Sequence, residues 1–353
     1  MTGQERPDYM LTPLSQRVEV WPKLPLPDDL GVVWRPLHAT DAQRLYELIA
    51  RAEEADQAHF RTSLVEVQEF FDGDWKNPET QSLVGVDQTG KFVVYGLIEM
   101  PPGDTSTRRA YLSGAVHPDS RTVGLGSACA RWLTVAAQEH LARIDDAVPG
   151  RIATVLEDNA PEHAKIFTEL GFTTQRFYRT LRRDLSQELP HIDLEPGLEL
   201  LPYSEALDEP TRRAHNDAFR DHWGSQPKTS EDWNQGRAMF LPEGTFVVVD
   251  TAKLDEDGEP FVVGYLWASK YEQDWAVNGF TSGYIDILGV RREYRGRKIG
   301  VRLLLAAMTQ YRALGLQYAE LDVDSANPSG ALGIYTQLGF EVSSGSTMYS
   351  LEY

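Results

Sequence analysis

One segment of this chain occurs twice. Asn159-Ala160-Pro161 leads through Phe167 to Leu170-Gly171-Phe172, and Asn327-Pro328 leads through Tyr335 to Leu338-Gly339-Phe340. The offset is the same at the asparagine, at Leu-Gly and at the final phenylalanine. Whatever unit the first copy builds, the second must build as well. The text before each copy agrees. Tyr111–Val116 reads as a strand, followed by the loop Arg121-Thr122-Val123-Gly124-Leu125-Gly126 and a helix. Tyr284–Val290 reads as a strand, followed by Arg295-Gly296-Arg297-Lys298-Ile299-Gly300 and a helix with Val301, Leu304, Leu305 and Met308 on one face. The 353 residues therefore hold two copies of a unit of about 150 residues, a usual domain size.

The remaining pattern follows the same order twice. Residues 1–30 are proline-rich and polar and read as an arm that packs through Val18, Val20 and Trp21. The first domain, 31–187, opens with a strand at 32–36 and helices at about 41–50 and 63–71. A hairpin at 82–96 follows, then the strand, loop and helix above, a strand at 152–156, a helix to Leu170 and a strand at 176–184. Residues 188–197, with two prolines and no periodicity, read as a linker. The second domain, 198–353, repeats the series, with helices at about 205–220 and 230–239 and a hairpin at 246–264.

A strand that feeds a basic, glycine-bearing loop and then a helix makes an anion cradle. The first helical amides lack intrahelical acceptors and the dipole is positive there. A phosphate or pyrophosphate is the natural guest. The net charge of −19 argues against nucleic acid or an anionic membrane as partner. The one cysteine, Cys129, rules out an intrachain disulfide and fits a reducing, cytoplasmic setting. It reads as a helix-face residue rather than a nucleophile. No leader-like or membrane-spanning stretch is expected, and the eight histidines show no metal-ligand spacing. Neither loop ends in Gly-Lys-Ser/Thr, which removes a nucleotide-hydrolase reading.

With its Arg121-x-x-Gly124-x-Gly126 and Arg295-to-Gly300 loops and its paired Asn…Leu-Gly-Phe segments, the chain resembles the GCN5-related N-acetyltransferase (GNAT) family across nearly its whole length. The tandem layout, with Phe219-x-x-His222-Trp223-Gly224 early in the second copy, is similar to double acetyltransferases of the mycothiol-synthase type, although no acceptor is carried over. The resemblance implies an α+β fold repeated in tandem. Each copy would be a mixed, mostly antiparallel twisted sheet flanked by helices, with a splayed central strand. It implies acetyl-CoA as donor, with the diphosphate on Arg295, Gly296, Arg297, Lys298, Ile299 and Gly300. In the first copy Arg121, Val123, Gly124, Leu125 and Gly126 would take that part. Val116, Leu288 and Val290 would line the thioester arm, and Asn159 and Asn327 would face it. It further implies direct attack by a small-molecule amine.

The copies differ where that chemistry would sit. Tyr335 can protonate a departing thiolate, whereas Phe167 cannot. Tyr284 and Asp286, two apart, are expected on one face, and Asp286 can accept an amine proton; Tyr111–Val116 holds no carboxylate. The loops rank the other way, because Gly124 faces Lys298. His222, Trp223 and Tyr284 are candidates for the acceptor pocket, with His215, Phe219 and Trp233 nearby. The expected enzyme is an N-acetyltransferase whose second domain is catalytic, as a monomer or homodimer. The alternatives are a non-catalytic coenzyme A-binding scaffold, a longer acyl donor and a hydroxyl acceptor.

Overall fold

The computed structural model describes residues 12–27, 30–220, 222–325 and 331–353. The first copy runs α1 (Leu14–Arg17), β1 (Val32–Arg35), α2 (Ala42–Ala55), α3 (Leu64–Glu69), α4 (Pro78–Gln81), β2 (Ser82–Asp87), β3 (Phe92–Glu99), β4 (Arg108–Val116), α5 (Leu125–Leu141), β5 (Gly150–Glu157), α6 (Pro161–Glu169) and β6 (Thr173–Asp184). The second runs β7 (Leu198–Pro202), α7 (Asp208–Ala218), α8 (Ser230–Trp233), β8 (Phe246–Leu254), β9 (Pro260–Ser269), α9 (Glu272–Asn278), β10 (Ser282–Val290), α10 (Ile299–Ala313), β11 (Tyr318–Asp324), α11 (Ala331–Gln337) and β12 (Glu341–Glu352).

Local chemistry sets the element ends. Ser63 caps α3 reciprocally: its hydroxyl accepts from Glu66 N–H (3.2 Å) and its own N–H donates to the Glu66 carboxylate (2.8 Å). Thr229 caps α8 in the same way through Asp232. The helix expected to reach Met239 stops at Trp233, with Asn234 as its C-cap, and left-handed Gly236 (φ 67°) lies in the bend that follows. Helix α9 has no counterpart in the sequence reading; it is short, has no buried residue, and ends at left-handed Gly279.

The described residues form two compact units. One takes those up to Ala58, Thr62–Gln175 and Thr347–Tyr353; the other takes His59–Arg61 and Arg176–Ser346. The division expected at the linker is thus displaced. Most of β6 leaves the first copy and pairs antiparallel with β11, from Tyr318↔Asp184 to Asp324↔Tyr178. The end of β12 returns to the first unit, where Gly150 and Tyr353 exchange both backbone hydrogen bonds (3.0 and 2.8 Å). Each unit is closed by a strand from the other copy. The segment read as a free linker packs Leu189, Ile192 and Leu194 on the second unit's core. The arm packs through Leu14 and Val18, both buried in the first unit, while Val20 is exposed.

Both units are three-layered. In the first, β1–β4 are antiparallel neighbours and β4 runs parallel to β5. Its α5 face is filled by Leu125, Leu133 and Ile152, and its α2 face by Leu45, Leu48, Val84 and Tyr95. In the second, β7–β10 are antiparallel neighbours and β10 runs parallel to β11. Its α10 face holds Leu303, Leu304, Met308 and Tyr311, and its α7 face is aromatic, with Trp233, Tyr265 and Trp267.

Candidate active site

In each unit the central parallel pair comes apart. Strands β10 and β11 pair only from Ser282↔Tyr318 to Ile285↔Leu321, so β10 beyond Ile285 loses its partner on that side. Strands β4 and β5 pair only from Arg108↔Gly150 to Tyr111↔Ala153. An unpaired strand edge inside a sheet offers backbone amides and carbonyls to an extended guest. The second unit adds a bulge that the first lacks: the β9–β10 register shifts between Ile285 and Ile287, leaving Asp286 as the extra residue. Strict alternation ends there. Ile285, Leu288 and Val290 join the α10-side core, and Ile287 joins the aromatic side. Tyr284 and Asp286, expected on one face, both meet Tyr271. Tyr271 lies edge-on to Tyr284 at 5.5 Å and donates to Asp286 at 3.2 Å.

The two loops have one backbone. Thr122 and Gly296 both take positive φ (72° and 79°), as do Gly124 and Lys298 (92° and 60°). Arg121 and Arg295 each donate Nε–H to the last carbonyl of the preceding strand, Val116 at 3.2 Å and Val290 at 3.3 Å. Helices α5 and α10 start without a side-chain cap, so their first amides stay open to an anion. Leu125 and Ile299 are buried under these helix starts, and Val123 is exposed.

The charges differ. Arg121 is neutralised by a two-pronged pair with Asp56. Arg295 instead donates to the neutral carbonyl of Ala218 and keeps its charge. Arg297 pairs with Glu195 at 2.7 Å. Lys298 is exposed and, among the described residues, has no ion pair. Its side chain leaves the cradle open, because the left-handed backbone that glycine would supply is adopted by lysine itself.

The grooves beside the loops also differ. A Cβ on Gly126 would meet Ile166 of α6 at 3.5 Å and Val116 at 3.4 Å. A Cβ on Gly300 would meet only Leu288 (3.7 Å) and Val290 (3.8 Å); Ile334, the counterpart of Ile166, stays beyond 4 Å.

Two side chains carry reactive potential in the second unit. Tyr335 is 8% exposed, edge-on to Phe340 at 5.8 Å, and no described residue hydrogen-bonds its hydroxyl. Burial pushes that hydroxyl up to about 12, so it stays protonated at neutral pH. Phe167 and Phe172 repeat the ring pair at 5.2 Å without a hydroxyl. Asp286 is reached by solvent yet walled by protein, which displaces much of the water that would stabilise its charge. It is pushed up to about 6, against hydrogen bonds from Ser269 and Tyr271 that favour the carboxylate. A carboxyl near neutrality can take up a proton. Asn159 sits exposed in the turn after β5, and Asn327 lies outside the described residues.

The acetyltransferase (GNAT) family profile matches residues 209–340, which holds the second copy's loop and Tyr335. A mycothiol acetyltransferase from Thermobispora bispora is 30% identical over 228 residues, covering 64% of this chain and 70% of that protein. The chain belongs to the GNAT acetyltransferase family. A GCN5-related N-acetyltransferase structure from Sphaerobacter thermophilus superposes with a TM-score of 0.67 at 23% identity, over 93% of this chain and 97% of that one. A tandem GNAT protein from the clavulanic acid biosynthesis pathway does so with a TM-score of 0.64 at 18% identity, over 91% and 98%. The duplicated fold is therefore a tandem GNAT fold.

As a GNAT acetyltransferase the enzyme uses acetyl-CoA, and the second unit's residues suit that donor. Its loop offers uncapped amides beside Arg295 and Lys298, and the Tyr335 hydroxyl has no hydrogen-bond partner among the described residues. Of the residues expected around the acceptor, His215 and Trp233 are instead buried packing. His215 hydrogen-bonds the Tyr265 hydroxyl and stacks on Phe219 at 4.8 Å, and burial pushes it down to about 4, keeping it neutral. His222 bonds the Trp223 carbonyl at 3.0 Å, and the Arg176 guanidinium lies 3.9 Å over the Trp223 ring. Tyr271 and the bulge escaped the sequence reading, because neither a lone tyrosine nor an unpaired residue leaves a periodic signal. Cys129 is buried and its thiol is pushed up to about 12, which removes it as a nucleophile.

Among the described residues no helix is long and apolar enough to cross a membrane.

Proposed function

We propose that acetyl transfer occurs in the second unit, onto the amine of a small molecule, and that the first unit is a scaffold without turnover. The observation that carries this reading is the largely buried Tyr335, whose hydroxyl has no hydrogen-bond partner among the described residues, where the first copy has Phe167. The loop amides of α10, with Arg295 and Lys298, hold the diphosphate of acetyl-CoA, whose thioester is the activated acyl group. The unpaired edge of β10 around Leu288–Val290 donates to the acyl oxygen as negative charge gathers there. Asp286 receives the proton shed by the attacking amine, directly or through water. Tyr335 gives its proton to the departing sulfur. In the first unit Asp56 cancels Arg121, Ile166 leans on the helix start, and no acid stands in the splay. The mycothiol acetyltransferase relative is named for a small-molecule acceptor, and the surplus of acidic residues favours a cationic amine over an acidic one.

Thiol release from acetyl-CoA, with a panel of amines, amino sugars and polyamines, tests this on the full chain. Tyr335→Phe should lower kcat by about 100-fold with little change in KM for acetyl-CoA. Retention of full turnover by that variant sinks the assignment.

A further inference from the structure

Besides β6, three residues of the first copy lie in the second unit. His59–Arg61 fall between α2 and α3 and are held outward by a built support. Glu53, 8% exposed, ties both ends of the loop. Its backbone carbonyl accepts from Ala58 N–H (3.0 Å), and its carboxylate accepts from Thr62 N–H (3.1 Å) and the Thr62 hydroxyl (2.6 Å). Gln57 takes a left-handed φ of 50°, a conformation strained for a residue with a side chain. A plain joint between two helices needs neither a buried carboxylate nor that strain.

The loop meets the acceptor side of the splay. Arg61 N–H donates to Asp274 at 2.6 Å. His59 Nε2 stands 3.5 Å from Ser344 Oγ and within electrostatic reach of Asp322. Asp322 is the first β11 residue past the last β10 pair, and its charge reaches Tyr284, whose hydroxyl it helps to hold protonated. Tyr284 packs on Tyr271, which donates to Asp286. Polar neighbours thus run from His59 to the carboxyl assigned the proton. Phe60, edge-on to His59, stays 41% exposed and so offers an apolar face.

We propose that His59 and Phe60 are specificity-determining residues of the second unit's acceptor site, which takes an amine carrying an apolar ring. The amine arrives as its cation, drawn to Asp322 and Asp286, and gives one proton to solvent to free the lone pair that attacks the thioester; Asp286 takes the second proton as the bond forms. His59 fixes its approach, and the ring lies on Phe60. The inference rests on the reading of the second unit as the catalytic one.

The test uses the full chain, acetyl-CoA, and two acceptor probes, phenethylamine and ethanolamine, followed by thiol release. Phenethylamine should show the higher kcat/KM, by about tenfold. Phe60→Ala should remove that preference by raising KM for phenethylamine alone. His59→Ala should raise KM for both amines about tenfold, with KM for acetyl-CoA and the melting midpoint unchanged, and His59→Asn should restore part of the loss. If both alanine variants keep wild-type KM values while Tyr335→Phe abolishes turnover, the loop has no part in acceptor binding and the catalytic reading stands. If Tyr335→Phe keeps turnover, or neither amine supports thiol release by the wild-type chain, the catalytic reading fails and this inference with it.

Discussion

The two splayed clefts share a backbone and differ in contents. Both open after four parallel pairs, both lead into a loop with two left-handed residues, and both set an arginine against the last strand carbonyl. Yet the first carries Phe167 on α6, has Ile166 3.5 Å from where a Gly126 Cβ would stand and neutralises Arg121 with Asp56. The second carries Tyr335 at the matched position and Asp286 on β10, keeps Ile334 beyond 4 Å of a Gly300 Cβ and sets Arg295 against a neutral carbonyl. Even the loop strain is traded. The first copy puts Thr122 where the second has Gly296, and the second puts Lys298 where the first has Gly124. Backbone geometry alone therefore does not separate the two copies; a few side chains at matched positions do.

The comparison can be broken most sharply at the helix starts. Gly300→Glu places a carboxylate against the diphosphate cradle and should raise KM for acetyl-CoA about 100-fold or more, whereas Gly126→Glu should leave it within about twofold. Equal losses would mean that the first cleft also serves the donor. A smaller effect is expected at the bulge. Asp286→Asn should lower kcat/KM at pH 7 about tenfold. In the wild type kcat/KM should rise with pH through about 6 as the carboxyl ionises, and the asparagine variant should lose that limb. Stability carries the opposite sign. The raised carboxyl pKa favours the folded state below the unfolded value near 3.8, and that benefit is lost as pH rises through about 6. The variant should thus gain in melting midpoint relative to wild type at pH 8, while no such gain appears at pH 4. The smallest effect lies in the traded strain. Thr122→Gly should stabilise the chain by about 0.5–1 kcal/mol in urea unfolding with turnover unchanged. Lys298→Gly should relieve similar strain but weaken acetyl-CoA binding, since it also removes a cation from the working loop.

Much of this was legible in the sequence, because duplication, strand-loop-helix order and loop chemistry are all local. The Asn…Leu-Gly-Phe repeat located matching helices, and the Tyr335/Phe167 contrast stood in plain text. What escaped depends on pairing between distant segments. Strands β6 and β12 carry patterns that suit either sheet, so nothing local reveals that they are exchanged. The bulge at Asp286 arises from β9 supplying one residue fewer opposite it, a count that no window of β10 contains. The run from His59 to Arg61 reads as an ordinary polar joint, and its only cue was a histidine and a phenylalanine in a short helix connection.

The exchanged strands bear on how the chain is made. During synthesis the earlier part of a protein emerges first, and domains usually close as they leave the ribosome. Here the first unit cannot do so, because the residues that cap its β5 edge, Thr347–Tyr353, are translated only after the rest of the second copy. Until they are made, the nascent first copy shows an open strand edge that invites pairing with other chains. A stop codon placed between the copies would yield a half-protein with that edge permanently bare, so the tandem gene cannot be divided into two working singles without repairing the seam.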